Sequence, residues 1–528
     1  MSQMDTGPKK KLKKSAVGFI LIIVIGILGI LAIKYIKPIL FEKSQRSTSD
    51  AAGSLHTIRM GGDNYLGYWF ITSPEMRKMA ARKGLQMDFT DDGGAYADRL
   101  AAFDRGDYDC IVLPVNSYLA HGAAYKFPGV ITAAISESKG ADGIVGFADR
   151  FPSGKINDLN DATLKIVYTA DSPSSFLIDL TIADFDLDRL QNSKEWQMKV
   201  GGSTEVLKQA KKGIGDVFVL WEPDLSKALK LPGIKYIWGS DRFSGYIVDV
   251  FVFHRSYLQR HPEKVRDFLG VYFRILGLYA NNREKMIKEM SKSADLKKDA
   301  IKEMLKKIDW FNLSENCERQ FGISVRSDYG TSVQEGVINT IIACTDVMIR
   351  TGTFQKDPLQ GNPYLITNSS ILEELSRSQV MSVAAGGTKK IDFNPLSDKE
   401  WAKLQEIGTF RVQPITFQSW NNLLTDEGKE IVDKIALLLT NNYPGYRVII
   451  RGHTGPGGDE GENVKLSRAR AEVVAQYLKA VHSINPNRIK IEGVGSQRPA
   501  VKKPGESMRA YRYRLARVEF IALGSDML

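Results

Sequence analysis

From His56 onward, short apolar runs closed by turn residues alternate with stretches whose apolar positions recur every three or four residues. The runs "TIRMGG", "LQMDFTDD", "DCIVLPV", "TLKIVYTA", "DVFVLW" and "IVDVFVFH" are rich in β-branched and aromatic side chains and read as strands. Between them, "AYADRLAAFDRG" and "STEVLKQAKKG" carry the helical period. Alternation of this kind predicts α/β layers with largely parallel sheets. A longer helical region follows, opened by "HPEKVRDFLGVYFRILGLYANN" and extending to about Leu375. Pro262 suits its first turn, where a missing N–H leaves no intrahelical bond unmade.

The pattern lapses in "SRSQVMSVAAGGTKKIDFNPLSD", which is small and polar, so residues 379–408 are read as a linker behind a domain spanning 56–378. Residues 409–524 resume with helices ("EGKEIVDKIALLLTNN", "RARAEVVAQYLKAV") and strands ("RVIIRG", "RIKIEGVG", "ARVEFIAL"), the pattern of a small α+β domain.

At the other end, Ala16 to Ile33 is a run of 18 apolar residues without a charge, lengthened by Tyr35 and Ile36. It predicts a transmembrane helix over 16–36, behind a basic tail at 1–15 and ahead of a polar tether at 37–55. No small-x-small cleavage site or lipobox cysteine follows, so the span is read as a retained anchor. Five lysines precede it, and Lys34, Lys37, Lys43 and Arg46 follow it, so charge sets the orientation only weakly. With the soluble mass all on one side, the expected topology is single-pass in the inner membrane. The N-terminus is then cytoplasmic and the bulk periplasmic. The span holds no Asp, Glu or His, which argues against a proton-conducting role.

The 72 basic and 61 acidic residues leave a net charge of +11, but part of the excess is "PKKKLKK" and part lies in the helix-like run from Glu284 to Lys307. No basic stripe interleaved with aromatics is present, so no nucleic-acid partner is expected. Cys110, Cys317 and Cys344 form neither an even framework nor a C-x-x-C pair. Cys317 and Cys344 can pair in an oxidising compartment, and free buried thiols are the simpler reading for all three. The chain lacks a Walker loop, a G-x-S-x-G elbow, an H-E-x-x-H pair and a G-x-G-x-x-G turn. No catalytic residue, metal or cofactor is therefore assigned.

Ligands of α/β lobes sit at the carboxyl ends of strands. The candidate loops there are "GGDNYLGYW", "TDDGGAYADR", "LPVNSYLA", "TADSPSSFL", "LWEP" and "VDVF". They nominate Asp63, Tyr65, Asn116, Ser172, Ser174, Ser175, Trp221, Glu222 and Asp249. In the serine loop, hydroxyls and free amides can converge on a ligand oxygen, and the same residues can simply cap a helix.

The segments "RLAAFDRGDYDCIVLP", "INDLNDATLKIV", "LKQAKKGIGDVFVLWEPDLSKAL" and "FVFHRSYLQRHPEKVRDFL" occur in the order found in periplasmic solute-binding proteins. Residues 56–375 resemble the nitrate/sulfonate/taurine receptors, which have a type II fold. That resemblance implies two α/β lobes closing over a small solute by hinge motion. It implies that Trp221, Glu222 and the Ser174–Ser175 loop face the cleft, with Asp249 on the next strand expected to face the same space. Asp63, Asp91, Asp92, Glu222 and Asp249 make the cleft loops acidic, with no arginine fork in them for a free oxyanion. A neutral or cationic solute is therefore expected rather than sulfate or nitrate. A relative of this fold synthesises a thiamine precursor with a cysteine-rich stretch and reactive histidines. With six histidines and no cysteine cluster, the chain is expected not to be an enzyme of that kind.

The stretch "RGHTGPGGDEGENVKLSRARAEVVAQYL" resembles the OmpA-like peptidoglycan-binding domain, whose core reads G-H-T-D and then N-x-x-L-S-x-x-R-A. Gly452, His453, Thr454, Asn463, Leu466, Ser467, Arg470 and Ala471 match it. The resemblance implies that the domain binds the diaminopimelate of a peptidoglycan stem peptide, with Thr454, Asp459, Asn463, Ser467 and Arg470 as the candidate contacts. Ser467 is expected to cap the helix that follows, and Arg470, one turn further, to clamp the carboxylate. Gly455 stands where the family has the Asp that holds the ammonium, and Asp459 or Glu460 is the candidate substitute. The combined expectation is an inner-membrane-anchored periplasmic protein that holds a solute-binding receptor or sensor domain and moors it to peptidoglycan. A scaffold that binds a partner membrane protein and no solute is the alternative, and a thiamine-precursor-synthase-like enzyme is the third.

Overall fold

The six apolar runs between His56 and His254 all form strands, and they sort into two sheets. In the computed structural model, which describes residues 55–151, 155–185, 187–324, 334–378, 393–418, 422–503 and 505–524, the first sheet contains β1 (His56–Gly62), β2 (Leu85–Asp91), β3 (Cys110–Pro114), β4 (Gly129–Ser138), β10 (Val248–His254) and β11 (Ile308–Trp310). Its order is β11-β4-β10-β3-β1-β2. The second contains β5 (Asp142–Phe147), β6 (Ile166–Thr169), β7 (Gln197–Val200), β8 (Val217–Trp221) and β9 (Ile234–Gly239), in the order β7-β6-β8-β5-β9. β1 pairs in parallel with β2 and β3, and β6 with β7 and β8, whereas β10 and β5 run antiparallel to both their neighbours. The parallel expectation holds for β3-β1-β2 and β7-β6-β8 and fails at these two strands and at the antiparallel β4–β11 pair.

Those two strands exchange between the lobes. β5 follows β4 of the first lobe, and β10 follows β9 of the second, so the chain crosses at residues 139–141 and again at 240–247. The crossings are stitched together: Ser138 Oγ donates to Asp142 Oδ2 at 2.7 Å, and Ser240 Oγ lies 2.7 Å from Ser138 Oγ. β4 is buried at every position, with helices packed on the first lobe, so it shows no alternation to detect. β5 carries Gly143 and Gly146, which lower strand propensity.

The helix expected from Pro262 runs Pro262–Ala280 with the proline in its first turn. The helical region beyond it is interrupted, because β11 adds to the edge of the first sheet. All three cysteines are buried and free.

The C-terminal sheet, in the order β12-β15-β13-β14, joins β12 (Gln405–Phe410), β13 (Arg447–His453), β14 (Ile489–Gly493) and β15 (Arg517–Gly524). β12 falls inside the expected linker, so this domain begins a few residues earlier than 409. It packs on the second lobe. Phe410 stacks on Phe185 with ring centroids 5.6 Å apart, and Arg411 N donates to Asp184 O at 2.8 Å. The buried Asp184 carboxylate takes Arg350 Nη2 at 2.7 Å, Tyr246 OH at 2.9 Å and Tyr443 OH at 2.8 Å. Asn442 brackets the crossing segment, its backbone oxygen accepting from Ser244 N at 2.7 Å and its Nδ2 donating to Ser244 O at 3.0 Å. The basic tail, the transmembrane helix at 16–36, nearly all of the tether and linker residues 379–392 lie outside the described residues. Among the described residues no helix is long and apolar enough to cross a membrane.

Candidate functional sites in the cleft and the C-terminal loop

The two lobes meet over a cavity of about 40 Å³. The first lobe contributes Asp63, Asn64, Tyr65, Tyr68, Gly93, Gly94, Tyr96, Pro114 and Asp249; the second contributes Asp142, Pro173 and Trp221, with Ile247 from a crossing. Asp142 and Trp221 are register partners on β5 and β8, and Asp249 is the second residue of β10. Four candidates from the sequence, Asp63, Tyr65, Trp221 and Asp249, therefore line the cavity.

The other five do not. Ser172 Oγ accepts from Ser174 N at 3.1 Å, and Ser175 Oγ accepts from Ser172 N at 3.0 Å. These bonds form the capping box of the helix Pro173–Asp184, so both hydroxyls satisfy the helix's own amides. Ser174 Oγ and Asn116 Oδ1 are buried without partners among the described residues and lie behind the lining. Glu222 accepts from Ser226 Oγ at 2.7 Å and pairs with Lys307, which commits it to structure.

An arginine outside the nominated set sits beneath the cleft. Arg99 comes from the helix Tyr96–Asp104 and is fully buried. It donates to Asp92 (Nε to Oδ2 at 2.6 Å, Nη2 to Oδ1 at 2.5 Å), to Asp63 Oδ2 at 3.0 Å and to Val112 O at 2.6 Å. The fork is filled by protein acceptors, so it does not reopen an oxyanion reading. Asp249 has no such partner. Tyr68 OH donates to its Oδ1, and Ser136 Oγ donates to its Oδ2 at 3.2 Å. Burial, together with the charges of Asp63 and Asp142 and against the Tyr68 bond, pushes Asp249 up to about 8. Burial pushes Asp142 up to about 6, with Glu222 adding to the shift and the Ser138 bond opposing it. A larger groove of about 740 Å³ lies on the outer face of the first lobe. It is away from the strand ends, and Arg266–Glu374 and Lys83–Asp267 are already paired there.

In the C-terminal domain the long helix starts earlier than expected. It spans Glu460–His482 and is capped by Asp459, whose Oδ1 accepts from Glu462 N at 3.0 Å. Ser467 is therefore not a cap but lies two turns inside. Its Oγ donates to Val464 O at 2.9 Å and accepts from Gly495 N at 3.0 Å. A Cβ on Gly452 would stand 1.9 Å from Ser467 O, so strand and helix approach closely only because residue 452 is glycine. Thr454 N donates to Gly495 O at 2.9 Å, which makes Gly495 the tie between the two loops.

Asn463 Nδ2 donates to Gly457 O at 2.8 Å and shapes the glycine turn. Glu460 is held by Ser496 N at 3.0 Å and Ser496 Oγ at 2.5 Å, so it is not a free substitute for the missing Asp. Position 455 itself is open: a Cβ added to Gly455 would meet nothing within 4 Å. Arg470, three residues along from Ser467, has its guanidinium 5.3 Å from the Phe417 ring centroid. Its Nε is buried, and no carboxylate partner exists for it among the described residues. Thr454 Oγ1 is likewise buried and has no hydrogen-bond partner among the described residues. Among the described residues no group of His, Cys, Asp and Glu side chains is placed to hold a metal.

Residues 416–513 match the family model described as the OmpA family. Over 79 residues the chain is 37% identical to the peptidoglycan-associated lipoprotein of Legionella pneumophila, covering 15% of this chain and 43% of that protein. Over 102 residues it is 34% identical to the peptidoglycan-binding protein ArfA of Mycobacterium tuberculosis, covering 19% and 31%. The chain thus spans less than half the length of the curated relatives it matches. The alkanesulfonate-binding protein SsuA of Xanthomonas axonopodis, bound to MOPS, superposes with a TM-score of 0.44 at 15% identity, covering 57% of this chain and 95% of that one. That likeness concerns the fold alone, which here stands on the strand order and the two exchanged strands. Residues 416–513 thus match the OmpA family, and they lie behind a two-lobed α/β domain whose lobes exchange one strand each.

Proposed function

We propose that the protein is a receptor or sensor of the cell envelope, anchored in the inner membrane through residues 16–36, that moors a solute-binding domain to peptidoglycan. The observation that carries the mooring is Arg470. A half-buried guanidinium without a carboxylate partner among the described residues, beside a loop that ties Thr454 to Ser467, suits a carboxylate delivered from outside. The diaminopimelate of a stem peptide carries such a carboxylate. Docking of this domain against the second lobe, through Asp184 and Phe185, supports a single body reaching from wall to solute cleft. The reading contains no catalytic step.

The full chain in detergent is expected to sediment with purified peptidoglycan. Arg470→Ala is expected to weaken that binding more than tenfold, because a charge-assisted clamp is worth about 1.5–3 kcal/mol. The fold, read by circular dichroism, should persist. A chain that stays in the supernatant, or an unaffected Arg470→Ala variant, removes the mooring. A reporter enzyme active only outside the cytoplasm, fused at the C-terminus, should be active; an inactive, folded fusion removes the topology.

A further inference from the structure

We infer that the inter-lobe cleft takes a small organic cation of the alkylammonium class, held between the carboxylates of Asp142 and Asp249 and the rings of Tyr65, Tyr68, Tyr96 and Trp221. The inference rests on the solute-binding reading and specifies its ligand. The first ground is charge. Asp63 shares Arg99 with Asp92, and Glu222 has Lys307, but Asp142 and Asp249 have only hydroxyl partners for their side chains among the described residues. Asp142 is 5% exposed, and Ser138 occupies Oδ2 only, which leaves Oδ1 without a hydrogen-bond partner among the described residues. Two buried carboxylates lacking a counter-ion either hold protons or await a cation. The upward shift of both groups agrees with that shortage of positive charge.

The second ground is the lining. Of the described residues around the cavity none is Lys or Arg, so an anion would meet three carboxylates and no cation. Four aromatic rings lie there instead, and ring faces attract ammonium groups strongly when both are desolvated. The third ground is size. A cavity of about 40 Å³ admits a ligand of only a few non-hydrogen atoms. Placement follows from the fold: Asp142 and Asp249 stand at the starts of β5 and β10, just after the two crossings. A cation bridging them would tie both lobes at the hinge.

The test is calorimetric titration of the full chain in detergent with methylammonium, dimethylammonium and trimethylammonium, and in parallel with nitrate and methanesulfonate. At least one cation is expected to bind and neither anion to bind. Asp142→Asn and Asp249→Asn should each weaken the cation at least tenfold, and Trp221→Leu, at the cavity edge, should weaken it as well. If either aspartate variant fails to fold, the Trp221→Leu variant and competition between cations and anions decide. Binding of an anion without any cation overturns the inference and leaves a solute-binding domain standing. Binding of neither class overturns the solute-binding reading itself. Cation binding indifferent to all three substitutions shows that the cation sits elsewhere and also overturns the inference.

Discussion

The cleft and the C-terminal loop solve opposite problems with charge. In the cleft, acids outnumber bases, and the two acids with no basic partner among the described residues, Asp142 and Asp249, are buried beside the two chain crossings. In the loop, the acids are engaged: Asp459 caps a helix, and Glu460 holds Ser496. The group left over there is a cation, Arg470. On the proposed readings, each site marks the sign of its ligand through the charge that the fold has not paired. Acidic or basic composition alone misleads, because Glu222 and Asp92 are prominent in sequence and already neutralised in space, by Lys307 and Arg99.

The comparison breaks most forcefully at the joint between the two sites. Asp184→Ala would strip Arg350, Tyr246 and Tyr443 of their common buried acceptor. Removing one member of a buried ion pair costs about 3–5 kcal/mol. Thermal denaturation should show a large loss of stability, with the single transition of the docked domains separating into two. An unchanged melting curve would falsify the view that the sites share one body.

A smaller effect sharpens the account of the cleft. The folded state binds a proton at Asp249 more tightly than the unfolded state does, since burial carries it from 3.8 to about 8. Its contribution to stability is fully present below the ordinary aspartate range and is lost as pH rises from about 4 to about 8. Tyr65, Tyr68, Tyr96, Tyr272, Asp63 with Arg99, and Asp142 surround or act on the group. Denaturation across that range should show a progressive decline in stability that flattens in Asp249→Asn. A variant that declines as steeply as the native chain would place the titration elsewhere.

The smallest expected effect tests the departure in the loop. A Cβ at Gly455 meets open space, so Gly455→Asp should fold normally and restore a carboxylate for an ammonium. An exposed pair of this kind is worth about 1 kcal/mol or less. Sedimentation with peptidoglycan should tighten about threefold to fivefold. Weaker binding would mean that the loop presents no room to the ammonium side of the ligand.

Local pattern makes much of this molecule legible. The runs forming β1, β2, β3, β6, β8 and β10 stand out because their apolar residues are contiguous and flanked by turn formers. The OmpA-like motif is equally readable, and its Gly452 and Ser467 meet in one close contact. β4 and β5 escape the pattern, the first being buried on both faces and the second broken by glycines. The start of the helix Glu460–His482 is ambiguous in sequence because both Asp459 and Ser467 have capping chemistry, and only the backbone path chooses between them.

The same limit governs the cleft. Asp63, Tyr65, Trp221 and Asp249 are legible because they lie at or just beyond the ends of strands. Tyr68, Tyr96 and Asp142 are not, because nothing local distinguishes them from core aromatics or a turn acid. The sequence by itself determined most of the element types and the OmpA-like loop, because these follow from periodicity and from residues adjacent along the chain, and it pointed to two lobes only through a resemblance. Only the tertiary structure decided which charges are neutralised, which serines serve a helix, and that Asp184 joins the lobe to the C-terminal domain. Pairing and burial depend on groups far apart in sequence, as in the 259 residues between Asp184 and Tyr443, and no local pattern carries that information.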